Sequence, residues 1–176
     1  DEVFLRISRG HDLAEDVGGP QLQTRAIPGV PAEVLPPGVD ASPRMAPPVF
    51  GVGLIEAIPV ETILAHADEA DADGDGISGR PNWVESPDFI PSHEIGGGPG
   101  MQLGRFGRKA SVSTLLLQVT AAYHQDMGIT SDFMPVENPN PQHGRTAIGD
   151  TVADPEIPAS TVLDTTMYVR LLSPPA

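Results

Sequence analysis

Glycine and proline interrupt this chain at short intervals. Gly18-Gly19-Pro20, Pro28-Gly29, Pro36-Pro37-Gly38, Pro47-Pro48 and Gly96-Gly97-Gly98-Pro99-Gly100 fall between almost every pair of apolar stretches. In all, 176 residues contain 19 glycines and 20 prolines, so regular elements must fit between breakers. Proline removes a backbone donor and clashes inside a helix, and glycine costs backbone entropy wherever it is fixed. With 39% hydrophobic residues the chain still has enough apolar surface to fold, which predicts long ordered loops rather than disorder. Aromatic residues make up only 5%, so the core should be small.

Helical periodicity survives in three places. In 59–68, Val60, Ile63, Leu64 and Ala67 share one face, Pro59 suits the first helical position and Glu61 the first turn. The second helix runs over 112–127, with Ser111 as N-cap, a buried stripe of Val112, Leu115, Leu116, Val119, Ala122 and Tyr123, and Gly128 as its stop. The third covers 159–172, with Leu163, Met167, Arg170 and Leu171 on one side and Pro174-Pro175 ending it. Residues 1–50 read as extended segments and turns. The expectation is a mainly α fold with long irregular loops, forming one domain or fragment over 1–176: a loop-rich 1–50 and a helical 51–176.

Charge and cysteine usage exclude several functions. Ten Lys and Arg stand against 24 Asp and Glu, a net charge of −14, which repels a nucleic-acid backbone and attracts cations or a basic partner. Without cysteine there is no disulfide, zinc thiolate site or covalent haem attachment on this chain. No apolar run reaches the 18 residues of a membrane span. The start at Asp1, straight into Val3-Phe4-Leu5-Arg6-Ile7, reads as a start inside a larger protein.

Chemistry concentrates in Asp71-Ala72-Asp73-Gly74-Asp75-Gly76-Ile77-Ser78-Gly79. Alternate carboxylates in a tight turn converge their oxygens, which is how a chain cages a hard cation such as calcium. In the EF-hand pattern the ligands are Asp71, Asp73, Asp75 and the Ile77 carbonyl, with Gly76 at the sharp turn. The twelfth position holds Asn82 instead of a bidentate Glu, which predicts a weak site, with Kd on the order of 10⁻⁴ to 10⁻³ M. The bland alternative is a solvated acidic turn. The flanks lack two clear EF-hand helices, so the loop reads as a structural site and not a sensor.

Other candidates carry bland readings beside the functional one. His11, His66, His93, His124 and His143 are scattered; His124, on the second helix, either faces a haem or is a partly exposed helix residue. Met101 and Met127 are axial thioethers or gap-fillers. Glu56 is a proton-transfer group beside a haem, or else a helix-entry or calcium-supporting carboxylate. Arg105, Arg108 and Lys109 form the basic cluster, suited to haem propionates or to internal ion pairs. Trp83 either covers the acidic loop or packs. No Ser is accompanied by a His and Asp pattern suited to a nucleophilic triad.

Several strings together resemble a known family. They are Gly19-Pro20-Gln21-Leu22-Gln23-Thr24-Arg25-Ala26-Ile27-Pro28-Gly29-Val30, Ala46-Pro47-Pro48-Val49-Phe50-Gly51-Val52-Gly53-Leu54-Ile55-Glu56-Ala57-Ile58-Pro59, and the acidic loop through Arg80-Pro81-Asn82. Gly104-Arg105-Phe106-Gly107, Lys109-Ala110, Asp126-Met127-Gly128-Ile129-Thr130-Ser131, Pro155-Glu156-Ile157 and the stretch 168–175 follow in order. The chain resembles the di-haem c-type cytochrome oxidoreductases, often called thiol oxidoreductases and related to bacterial di-haem cytochrome c peroxidases. The resemblance implies a cytochrome-c-like helical fragment, haem c in the intact protein, periplasmic or other extracytoplasmic location, and partners in haem-bearing flanking regions or a redox protein.

The departures place the chain in the region between the two Cys-x-x-Cys-His motifs. It has neither motif, is short between Glu33 and Ser42, carries Arg108 where an aromatic is expected, and has Pro139 where a cysteine commonly follows Glu137-Asn138. The expectation is therefore a calcium-stabilised, haem-less portion that scaffolds electron transfer in a peroxidase-like oxidoreductase and is by itself without that chemistry. The alternative is a standalone calcium-bound extracytoplasmic interaction module.

Overall fold

The computed structural model describes residues 3–9, 12–13, 21–138, 140–143 and 149–175. Asp1, His11, Gly18, Gly19, Pro20 and Pro139, named above, lie outside them. Two compact units are present: Asp1–Ala46 with Thr120–Ala159, and Pro47–Val119 with Ser160–Ala176.

The first unit is built on a small antiparallel sheet. Val3–Arg9 (β1), rich in β-branched and aromatic residues, pairs with Asp12–Leu13 (β2), Gln21–Leu22 (β3) and Asp40–Met45 (β4). Leu5 of β1 meets Leu22 of β3 and Pro43 of β4, so β3 and β4 flank it on opposite edges. Pro43 is tolerated because β4 is an outer strand and need not donate from every residue. Leu22 and Val39 are buried in this unit, together with the polar Glu33, Thr130 and Ser131.

The second unit holds most of the apolar core. Val52–Glu56 (α1) and Val60–Leu64 (α2) precede the acidic loop; Trp83–Glu85 (β5) and Met101–Leu103 (β6) form a two-stranded ribbon. Leu115–Ala121 (α3) and Ala159–Leu171 (α4) are the principal helices, each beginning in one unit and ending in the other. Ile90, Leu103, Phe106, Leu115, Leu116, Leu117, Val119 and Val162 are buried here. At Gly53 a Cβ would collide with the carbonyl of Arg170, so α1 lies against the end of α4 only because that side chain is absent.

The mainly α, cytochrome-c-like expectation is corrected: helix accounts for 26% and strand for 14% of the chain. Apolar periodicity in the sequence extends further than the helices do. The first helix ends at Leu64, because Asp68 is drawn into a bridge with Gly79. The second starts at Leu115, because Val112 bridges to Phe106; Thr114, not Ser111, caps it, its Oγ1 accepting from the Leu117 N–H at 3.0 Å. Its end relaxes into a π-helical turn over Ala122–Asp126. The closing helix matches its expected span within one residue, but its buried face is Val162 and Thr166, whereas Leu163, Met167 and Leu171 are exposed. Helix α1 and both sheets were absent from the sequence reading.

Candidate functional site

Within the second unit, charge is either paired in the interior or gathered in a loop. Glu56, only 4% exposed, ends α1 and occupies the interior centre. Its Oε1 accepts from the Leu115 N–H at 3.1 Å, satisfying an otherwise orphaned donor in the first turn of α3. Arg170 of α4 closes on the same carboxylate at 2.6 Å from Nε to Oε2 and 3.1 Å from Nη2 to Oε1, and also binds Glu94. Hydrogen bonding to Glu56, with Glu94 adding to it against the cost of burial, raises the Arg170 pKa above its already high ordinary value. Glu56 is thus a structural ion-pair centre.

Arg105 donates from Nη1 to the carbonyls of Ile55, Glu56 and Ile58, sealing the C-terminal end of α1. Its Nε and Nη2 are buried with no hydrogen-bond partner among the described residues. Burial lowers its pKa, opposed by the nearby Glu56. Arg108 and Lys109 are exposed.

The acidic loop follows α2. Asp71 itself takes a left-handed conformation, φ 50°, and Gly76 has φ 84°, which an L side chain at that position would resist. Each carboxylate first satisfies the loop's own backbone. Asp68 accepts from the Ala72 N–H at 2.9 Å, Asp71 from Gly76 at 3.1 Å, Asp73 from Asp75 at 3.1 Å and Asp75 from Ile77 at 2.8 Å. Ligand oxygens of Asp68, Asp71 and Asp73 lie within 4.8 Å of one another, a spacing compatible with one shared cation.

The sequence-predicted ligands are therefore divided. Asp71 and Asp73 come together. Asp75 shares the loop without belonging to that trio, the Ile77 carbonyl lies in the same loop, and Asn82 donates from its Nδ2 to the Ala110 carbonyl at 3.0 Å and to the Lys109 carbonyl at 3.2 Å. Asp68, three residues before the motif, was missed. The signal that could have found it is its position at the helix exit, where the bridge to Gly79 closes the loop. Trp83 belongs to β5 and is 46% exposed.

The first unit contains an open cleft of about 370 Å³. Glu33, Glu137, Asp150 and Glu156 reach its wall, as do Arg25, His124 and His143. Glu33 is 6% exposed; its Oε2 accepts from the Gln23 N–H at 2.7 Å. Burial raises its carboxyl pKa, opposed by that hydrogen bond and by His143. Glu137, Asp150 and Asp154 form a second carboxylate trio within 4.8 Å. Burial, followed by the charges of Asp154, Asp150 and Glu156, raises the Glu137 pKa, with His124 acting in opposition. Glu156 is held by the Thr130 N–H at 3.1 Å, and Asp154 accepts from the Thr130 hydroxyl. The sequence reading missed this group, whose members are separated by turns.

The described residues do not fit covalent haem. The chain has no cysteine for thioether attachment. The Nε2 of His124 is already hydrogen-bonded to the Val136 carbonyl at 2.8 Å, and Met101 and Met127 are exposed. Among the described residues no helix is long and apolar enough to cross a membrane.

A family described as "Di-haem oxidoreductase, putative peroxidase" matches over residues 21–150. No curated protein and no solved structure matches.

Proposed function

The chain belongs to the di-haem oxidoreductase, peroxidase-like family, and from that premise we propose that it is a haem-less, calcium-stabilised portion of such an oxidoreductase. One observation carries the reading: the family match spans 21–150, yet the chain has no cysteine with which to attach a haem. In this reading the haems and their axial ligands come from polypeptide other than these residues. The fold presented here holds that polypeptide in place for electron transfer, in an extracytoplasmic compartment. Calcium is the cation favoured by an all-oxygen donor set, with Asp68, Asp71 and Asp73 as its carboxylate ligands. Its role is to neutralise three converging charges and fix the loop.

Two measurements test the proposal. The chain is expressed together with a c-type haem maturation system, purified, and examined for haem by absorbance after denaturation; no covalent haem is expected. Metal analysis and melts in calcium and in EGTA follow, with a calcium-dependent rise expected. Covalently retained haem would overturn the haem-less assignment, and identical melts with no bound metal would overturn the calcium assignment.

A further inference from the structure

Helix α4 turns an apolar face outward. Leu163, Met167 and Leu171 recur every four residues, in one stripe of the helix, and are 46%, 52% and 74% exposed, with Tyr168 beside them at 64%. Asp164 is the one charged residue among the exposed positions of α4, in a chain of net charge −14. A helix face in water is normally polar. The start of α1 continues the patch. The Gly51 N–H donates to the Leu172 carbonyl at 2.7 Å and Gly53 lies against Arg170, which sets Phe50 and Leu54, 47% and 66% exposed, beside the end of α4. A fully exposed aromatic presents about 150–250 Å² and Leu or Met somewhat less, so these six residues leave on the order of 600 Å² uncovered in one place. Single exposed apolar residues mean little, but a contiguous patch of that size marks a contact surface.

We infer that this face pairs two copies of the chain, with their α4 helices antiparallel about a twofold axis at Met167. Area and symmetry select a second copy as the occupant. With a polar rim, the patch supplies the roughly 800 Å² that each partner contributes to a standard interface. A twofold interface also needs a patch complementary to itself. Leu163 and Leu171 stand about 6 Å along the helix to either side of Met167. Antiparallel pairing therefore sets Leu163 against the partner's Leu171 and Met167 against the partner's Met167. Two such acidic copies repel at long range, so salt, which screens that repulsion, should strengthen the pairing. The pairing does not depend on haem or on calcium in the acidic loop.

Sedimentation velocity of the whole chain in saturating calcium tests it. A monomer–dimer equilibrium with Kd on the order of 10 µM is expected, tightening as salt is raised. Met167→Glu brings two carboxylates together at the axis and should weaken the dimer at least about thirtyfold. Leu163→Glu and Leu171→Lys should each weaken it about tenfold, since each buries two unpaired charges in a dimer of its own kind. Mixed in equal amounts, these two variants should recover most of the affinity, because the mixed dimer sets the new carboxylate against the new ammonium and keeps one leucine pair. All three positions are exposed, and unchanged circular dichroism and melting would show that each variant folds. Val34→Lys, at an exposed apolar position of the first unit, should leave the association unchanged. A monomer at every concentration would overturn the inference and leave the face to another protein. So would full affinity in Met167→Glu, no recovery in the mixture, growth beyond the dimer, or an association that weakens with salt.

Discussion

The Glu56 centre and the 68–75 loop, both in the second unit, handle negative charge in opposite ways. Glu56 is buried and receives a guanidinium and a helix N–H, so its charge is consumed by structure. Among the described residues the loop aspartates meet only backbone N–H groups of their own turn, which leaves net charge to be balanced from outside. A carboxylate with an arginine partner holds the fold together. A set of carboxylates without one can accept a cation. Composition cannot separate the two, because both are acidic residues in an acidic chain.

The sharpest way to break this contrast is to remove the arginine. Arg170→Met should destabilise the chain by about 3 kcal/mol, since Glu56 would be left buried with half its partners gone. Urea unfolding measures it, and a loss below about 1 kcal/mol would place the pair among weak surface bridges. Withdrawing calcium should have the next largest effect. At a free concentration about ten times Kd, calcium stabilises by about 1.4 kcal/mol, and at a hundred times by about 2.7. The melting temperature should fall in EGTA by the corresponding amount. Asp73→Ala and Asp68→Asn should each abolish most of that difference. Equal loss with and without calcium would show that these residues serve only their own turn. Arg170→Met, by contrast, should cost the same in calcium and in EGTA.

How far each centre was legible from sequence follows from the same distinction. The Asp71-to-Asp75 spacing is local, so the turn and its convergent carboxylates can be read directly. Asp68 escaped because its membership depends on the Asp68–Gly79 bridge, a non-local pairing. Glu56, Glu94, Leu115 and Arg170 lie far apart in sequence, and nothing in their spacing announces a common centre. Helix α4 was readable as a helix but not in its orientation. Its apolar residues fall all around the axis, and packing chose Val162 and Thr166 over the longer Leu163, Met167 and Leu171. The strands of the first unit were legible only as extended chain, because pairing partners are set by register and not by composition.

The smallest expected effect extends the comparison to the first unit and has a definite sign. Glu137 has a raised pKa in the folded chain, caused first by burial and then by Asp154, Asp150 and Glu156, with no arginine to oppose them. Its ionised form is less favourable in the folded chain than in the unfolded one, so its charge costs stability. As pH falls through the raised folded pKa, the native state takes up its proton first, and stability contributed by this group rises. Below the unfolded pKa both states are protonated and the gain is complete. Glu137→Gln removes the cost at every pH, so the variant should be more stable than wild type at pH 7, by up to about 0.5 kcal/mol. That advantage should shrink on acidification and vanish below about pH 4. Glu56→Gln, by contrast, weakens the Arg170 pair and should be destabilising at pH 7. If urea unfolding of Glu137→Gln gave a loss at pH 7, the first unit too would hold its carboxylates as structural partners, and the contrast would fail.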